Sequence, residues 1–343
     1  MQRSITPGDV HQPTGSSEPL RLAWFRATRP DAGALGDRTA PAIERLRRTH
    51  DVEIVTATDA WDFVWQHNRQ PYDVCVYEPG SAPAQQFIWP YLLHYPGVVV
   101  LHGTVMRDVR AWSGSRIVVV FDAAVAQSLE DEHPAARLRH VAPGVPTADS
   151  RRRAATSPLR VGMFDDSRRE VVERAAQRAR DRGAAVRVLD TPHEADIIVA
   201  LDWPPAAGPP AAALHAMASG RPAIVLEVEA TADWPALDPQ NWQPRGLLAE
   251  APIAVSIDPR DEEHSLMLAM ARLAADAPLR SALGTAGHAW WRAHATIEHA
   301  AAGWDAILRE AATLGPPSPQ RVADGSESAR RILGELGVAV DFL

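Results

Sequence analysis

The chain contains no lysine, only one cysteine and no long apolar run. Each of these features limits the classes of protein to which it can belong. Arginine supplies every fixed positive side-chain charge, and 35 basic against 43 acidic residues leave a net charge of −8. Nucleic acids and anionic membranes demand concentrated positive charge, so this balance argues against both as partners. Together with the frequent alanines, the missing lysine indicates the codon bias of a GC-rich bacterial genome.

The cysteine and the hydropathy pattern bear on where the protein works. Cys75 has no second cysteine to pair with, and the apolar run 74–77 around it predicts a buried core residue. No apolar run reaches the length of about 18 residues that a membrane span takes, and the first residues of the chain are polar and rich in turn formers. Since neither a membrane span nor a signal peptide fits this pattern, we expect a cytoplasmic protein.

The length of 343 residues and the hydrophobic content of 46% favour two domains of about 150 residues each. Short, continuous apolar runs alternate with helical patterns, beginning with a strand at 20–25, a glycine-containing loop and a helix over 39–49. This order is the opening unit of a Rossmann-like domain, and apolar runs that do not alternate with polar residues are typical of parallel strands covered on both faces. We therefore predict an α/β fold.

The breaks in this pattern predict the organisation of the chain. Strands are expected at 20–25, 52–57, 73–78, 98–103, 117–122 and 138–145, then at 159–164, 186–190, 196–201, 222–227 and 253–258. The predicted regions are a disordered N-terminus at 1–19, a first Rossmann-like domain at 20–146, a linker at 147–158, a second Rossmann-like domain at 159–314, and a proline-rich break with an amphipathic helix at 315–343. That last helix either docks on the body of the protein or binds a partner.

Five segments, in this order, resemble the GT-B glycosyltransferases, in particular the family 4-like retaining enzymes of bacterial glycan and polysaccharide assembly. They are the loop and helix at 29–46, the block 72–103 that contains a strand-terminal histidine, the segment 140–145, the strand–loop–helix–strand block 195–227, and the helical stretch 273–304. The resemblance covers residues 20–312 and implies two sheets that face each other across a ligand cleft. It also implies a nucleotide-sugar donor and an acceptor hydroxyl, with no metal and no other cofactor.

The resemblance implies roles for particular residues as well. His102 corresponds to a histidine that contacts the transferred sugar, and a structural hydrogen-bonding role is the alternative. Gly33 and Asp37 match a loop near the acceptor and the donor phosphates, although Gly33 equally fits a simple turn. Arg168 and Arg169 follow a predicted strand, where related enzymes place basic residues against the nucleotide diphosphate; solvated surface arginines are the alternative.

The donor-site block departs from the family pattern where acids are expected. Related enzymes carry a glutamate in the loop before the donor helix, and often a second one eight residues later, to hold sugar and ribose hydroxyls. Aligned on Gly220, these positions fall at Ala207 or Gly208 and at His215, so neither acid is present. Gly208, Ala211 and His215 are the residues expected to line the donor site, where the helix dipole offsets phosphate charge in place of a metal.

Three functions are compatible with these observations. The leading hypothesis is a glycosyltransferase that moves a sugar, with retention, from a nucleotide sugar to a glycan or small-molecule acceptor. The opposing hypothesis is a catalytically degenerate relative that acts as a binding or scaffolding module, which the missing glutamate and a short second domain favour. The third is a sugar- or nucleotide-binding protein that uses the same cleft without transfer.

Overall fold

The structure of the protein is a computed structural model that describes residues 18–27, 37–80, 82–102, 111–112, 114–148, 157–203, 208–245, 251–316 and 333. These residues form two parallel-sheet, Rossmann-like domains, as the sequence predicts. The predicted disordered terminus up to residue 17, most of the predicted linker, the candidate Gly33 and, apart from Leu333, the predicted C-terminal helix lie outside the described residues.

The first sheet contains six parallel strands in the order β2-β1-β3-β4-β5-β6. The chain changes direction across the sheet between β1 and β3, so the crevice in which open α/β sheets bind ligands lies at the carboxyl ends of these two strands. The strands β3 and β4 and most of β5 are buried along their length, which shows that both faces of the sheet are covered. The strands are β1 Arg21–Phe25, β2 Asp51–Val55, β3 Val74–Tyr77, β4 Gly97–Val100, β5 Ser115–Val120 and β6 Leu138–His140.

The second sheet contains seven strands in the order β12-β11-β13-β10-β9-β7-β8. Among its described strand pairs, β11 and β12 are antiparallel and the others are parallel. The direction changes between β7 and β9, which places a second crevice at the carboxyl ends of those strands. The strands are β7 Leu159–Gly162, β8 Val186–Val188, β9 Ile197–Ala200, β10 Ala223–Leu226, β11 Ala236–Leu237, β12 Pro244–Arg245 and β13 Ala254–Ile257.

Some of the helices that cover these sheets begin at a residue whose side chain caps their first turn. The Asp122 carboxylate accepts hydrogen bonds from the backbone nitrogens of Ala124 at 2.9 Å and Val125 at 3.1 Å, which starts the helix after β5. Within the described chain, no helix combines the length and the apolarity that crossing a membrane requires. The α-helices are α1 Ala40–Leu46, α2 Ala60–Arg69, α3 Ile88–His94, α4 Ala123–Glu132, α5 Arg169–Asp181, α6 Ala211–Ala218, α7 Glu229–Ala232, α8 Glu262–Ala275, α9 Ala277–His294 and α10 Ile297–Thr313.

Each predicted strand is present, and the errors concern ends and short elements. The strand predicted at 138–145 ends at His140, because Pro143 has no N–H for a ladder and the Val145 nitrogen donates instead to the Ala295 carbonyl at 3.0 Å. Between β3 and β4, a single 3₁₀ turn at Pro83–Gln85 precedes the helix that begins at Ile88. The elements α7, β11 and β12 were not predicted, because each is too short to show a periodicity.

The last helix, α10, leaves the second domain and packs on the first sheet. Its buried face includes Trp304 and Leu308, which lie in one core cluster with Leu22 and Trp24 of β1. The rings of Trp24 and Trp304 meet edge to face with their centroids 5.1 Å apart, which is a favourable geometry for two aromatic rings. The chain therefore joins the two domains at its end as well as in its middle.

We expect Trp304→Ala to destabilise the first domain by about 3–5 kcal/mol, because truncating a fully buried tryptophan leaves a cavity against Trp24. Urea unfolding of the full chain, followed by fluorescence and circular dichroism, measures this loss. The matched control is Trp61→Ala, since the Trp61 side chain is 72% exposed and should change stability by no more than about 0.5 kcal/mol. Equal losses in the two variants would contradict the packing of α10 on β1.

Candidate functional site

The crevice of the first domain is built around the carboxylate of Glu78, the residue directly after β3. This carboxylate is buried, and its Oε1 accepts hydrogen bonds from the Trp24 indole Nε1 and the Thr39 hydroxyl, both at 2.6 Å. On the other side, Oε2 lies 3.9 Å from the Arg26 guanidinium and 3.6 Å from Nε2 of His102. Side chains from the ends of three neighbouring strands thus converge on one acidic group.

The environment of Glu78 keeps it ionised. Burial alone raises the pKa of a carboxyl group, but His102, Arg26 and the Thr39 hydroxyl more than offset that effect and bring the Glu78 pKa to about 2. A carboxylate with so low a pKa is a poor proton acceptor near neutral pH. It therefore serves to hold its neighbours in place rather than to take a proton from a substrate.

His102 lies two residues beyond β4, at the rim of the same crevice. Its side chain is 21% exposed, with Nε2 directed at Glu78 and the ring 5.3 Å from that of Phe121, at the end of β5. Because Nε2 faces an ionised carboxylate, the proton of a neutral imidazole belongs on that nitrogen, which makes Nδ1 the hydrogen-bond acceptor.

Asp37 lies three residues before α1, and both of its carboxylate oxygens have partners. Oδ2 forms an ion pair with Arg26, while Oδ1 accepts a hydrogen bond from the Ala40 backbone nitrogen at 2.9 Å. These contacts close the first turn of α1 and hold Arg26 beside Glu78.

The two arginines after β7 are both paired with carboxylates of their own domain. Two guanidinium nitrogens of Arg168 donate hydrogen bonds to the Glu262 carboxylate, and the longer of these is 3.2 Å from Nε to Oε1. Arg169 lies 2.8 Å from Asp166 and 3.4 Å from Asp190. A phosphate would have to compete with these carboxylates for either guanidinium.

A small pocket at the carboxyl ends of β7 and β9 is the donor-side counterpart of the first crevice. Arg168 lines it together with Asp165, Asp202 and Ala212. Burial and the nearby Asp165 raise the pKa of Asp202, with Arg38 of the first domain acting in the opposite direction. The pocket thus carries both signs of charge, at the switch point of the second sheet.

The loop before α6 approaches the first domain closely. A Cβ added to Gly208 would collide with Phe121 and would lie 2.8 Å from Nη1 of Arg38, so glycine permits this approach. Ala211 is the first residue of α6, and His215 lies one turn further along the helix. Burial, helped by Arg221, lowers the pKa of His215 to about 4, so this side chain is neutral near pH 7.

Sequence reasoning missed Arg26, Arg38, Glu78 and Asp202. Glu78 and Asp202 follow buried strands just as His102 does, so the same strand-terminal rule would have selected them. Arg38 had no such signal, because its importance comes from a residue of the other domain. In the described parts of the chain, no three His, Cys, Asp or Glu side chains are grouped so that they could hold a metal ion.

We expect Glu78→Gln to lower the free energy of unfolding by about 3 kcal/mol at pH 7, because the amide cannot replace the ionised carboxylate between its donors. The folded-state pKa of about 2 lies below the ordinary value of 4.5, so the contribution is complete above about pH 5 and declines as the pH falls towards 2. Urea unfolding at pH 7 and pH 3 should therefore show a smaller difference at pH 3.

The control for this variant is Glu44→Gln, in which an exposed carboxylate paired with Arg47 is replaced and a change within about 0.5 kcal/mol is expected at either pH. A loss that is the same at pH 7 and pH 3 for Glu78→Gln would contradict the ionised state.

Searches for related proteins find solved structures but no family model and no curated protein that matches the chain. A glycosyltransferase from Rickettsia africae aligns with a TM-score of 0.59 at 10% identity, over 87% of this chain and 100% of the other. HepE from Anabaena, solved in complex with UDP and glucose, aligns with a TM-score of 0.56 at 12% identity, over 85% of this chain and 100% of HepE.

A mutant of TarM from S. aureus, solved in complex with UDP and other ligands, aligns with a TM-score of 0.52 at 11% identity. The alignment covers 71% of this chain and 58% of TarM, so this chain spans less than two thirds of that protein. At identities of 10–12%, these alignments show that the fold is shared and do not show a shared function. The protein has the GT-B fold, the two-domain architecture of these glycosyltransferases.

Proposed function

We propose that the protein is a glycosyltransferase that moves a sugar from a nucleotide-sugar donor to an acceptor hydroxyl with retention of configuration. The observation that carries this proposal is the pair of switch-point crevices, one with His102 held beside the ionised Glu78 and the other with Arg168 lining the pocket at β7 and β9. A donor that spans both would have its sugar near His102 and its diphosphate near Arg168. We place this reaction in the bacterial cytoplasm.

In this mechanism the protein stabilises the charge that develops on the leaving diphosphate and positions the sugar. Arg168 or Arg169 would exchange its carboxylate partner for phosphate oxygens, and the N-terminus of α6 would add its positive dipole. Nδ1 of His102 would accept a hydrogen bond from a sugar hydroxyl, since Nε2 faces Glu78. The solved structures of HepE and TarM with UDP make UDP and UDP-glucose the first ligands to test.

The second candidate function is a binding or scaffolding module of the same fold. Two observations favour it: Arg168 and Arg169 already have carboxylate partners, and the neutral His215 stands where the family resemblance calls for an acid. Such a protein would bind a nucleotide or a sugar nucleotide without consuming it.

We expect nucleoside diphosphates to raise the melting temperature of the protein, because a ligand that binds only the folded state stabilises it by mass action. A thermal-shift series with UDP, GDP, ADP and their glucose conjugates measures this binding, and release of the nucleoside diphosphate from the bound nucleotide sugar measures turnover. Binding with turnover supports the transferase, and binding without turnover supports the module. If no nucleotide shifts the melting temperature, the donor-site assignment is wrong.

We expect His102→Ala to lower turnover by about 10- to 100-fold while the affinity for the free diphosphate changes little, because His102 would contact the sugar and not the phosphates. His294→Ala is the matched control, since His294 is exposed near the end of α9. Equal turnover in the His102 variant and the control would remove His102 from the mechanism.

A further inference from the structure

Arg38 differs from Arg26, Arg168 and Arg169 in what it contacts. Arg26, Arg168 and Arg169 each form an ion pair with a carboxylate of their own domain. The Nη1 atom of Arg38 is buried and has no hydrogen-bond partner among the described residues. A buried guanidinium N–H without an acceptor is unfavourable, so its presence calls for an explanation.

The position of Arg38 explains what could satisfy it. The side chain begins just before α1 and lies over Phe121, with its guanidinium carbon 5.5 Å from the ring centroid. Nη1 points at the loop before α6, because a Cβ added to Gly208 would lie 2.8 Å from it. Arg38 therefore extends from the first domain to the entrance of the second domain's helix.

The acid that attracts Arg38 belongs to the second domain and accepts no hydrogen bond from Nη1. Burial lowers the pKa of Arg38, and attraction to Asp202 of the second domain opposes this effect. Asp202 itself is partly buried beside Asp165, and both acids line the small pocket at the ends of β7 and β9. The guanidinium thus has an acid across the cleft at longer range, without a hydrogen bond from Nη1 to hold it.

We propose that Arg38 binds the phosphates of the ligand from the side of the first domain, and that the negative charge of Asp202 opposes this binding. This inference rests on the proposed function, and it adds an arginine of the first domain to the phosphate contacts proposed for Arg168 and Arg169. The planar guanidinium matches two phosphate oxygens at once, and the positive end of α6 lies beside the same loop. The ligand class is therefore a nucleoside diphosphate or inorganic pyrophosphate.

Isothermal titration of UDP and of inorganic pyrophosphate into the full chain tests this role. We expect Arg38→Gln to weaken both ligands by about 10- to 100-fold, because a charge-assisted hydrogen bond to phosphate is lost. Arg38→Lys keeps the positive charge but loses the pair of parallel N–H donors of the guanidinium. Its affinity for both ligands should therefore fall between those of the parent and the glutamine variant. Asp202→Asn should bind both ligands about threefold more tightly or better, since a repelling charge is removed.

Arg47→Gln is the matched control, because Arg47 follows the same helix α1 but pairs with Glu44 at the surface. Its affinities should equal those of the parent. Thermal unfolding of each variant without ligand shows whether it is folded. If Arg38→Gln does not fold, the affinity of Arg38→Lys tests the role of Arg38 instead.

The outcomes separate this inference from the proposed function. If the parent binds UDP and Arg38→Gln binds it equally well, the role of Arg38 is wrong while the donor site stands. If Asp202→Asn binds UDP and pyrophosphate more weakly than the parent does, Asp202 contacts the ligand, and the opposing role given to its charge is wrong. If the parent binds neither UDP nor pyrophosphate, both the inference and the proposed function are overturned.

Discussion

The ionised carboxylate of Glu78 is the interaction on which the first half of the cleft depends. It joins the end of β3 to Trp24 on β1, to Thr39 at the start of α1 and to His102 beyond β4. A charge buried this deeply is stable only because each of its oxygens faces a donor or a cation. The geometry of the crevice is therefore a consequence of satisfying one acid.

Trp24 connects this site to the way in which the two domains are joined. One edge of its indole donates to Glu78, and the ring packs against Trp304 of α10. Since α10 follows the second domain in sequence, the end of the chain supports the site in the first domain from behind. The Trp24 side chain therefore contributes both to the packing of α10 on the first domain and to the hydrogen bonding of the buried carboxylate of Glu78.

Arg38 differs from the paired arginines Arg168 and Arg169 in having a buried nitrogen without a hydrogen-bond partner. On the second domain, Arg168 and Arg169 are neutralised by neighbouring carboxylates, which limits their attraction for an anion. On the first domain, Arg26 is likewise paired with Asp37, whereas Arg38 lies against the loop at Gly208 without a hydrogen bond from Nη1. An anionic ligand would therefore have to replace the carboxylate partners of Arg168 and Arg169, and its affinity would depend on the free energy of breaking those ion pairs.

Much of the fold could be predicted because its strands are continuous apolar runs punctuated by glycine and proline. The same reasoning predicted His102 at a strand end, and the structure has it two residues beyond β4. It failed for β11 and β12, whose pairs of residues carry no period, and for the strand end near Pro143, which only its lost N–H explains.

The sequence by itself determined the class of fold, the alternation of strands and helices, and which side chains stand at the carboxyl ends of strands. These follow from local periodicity and turn chemistry, which adjacent residues encode. Only the tertiary structure decided that Glu78 is buried against Trp24, that α10 returns to the first sheet, and that Arg38 lies against the loop at Gly208. Those relations join residues far apart in the chain, and their energies depend on burial and charge that exist only once the two domains are packed together.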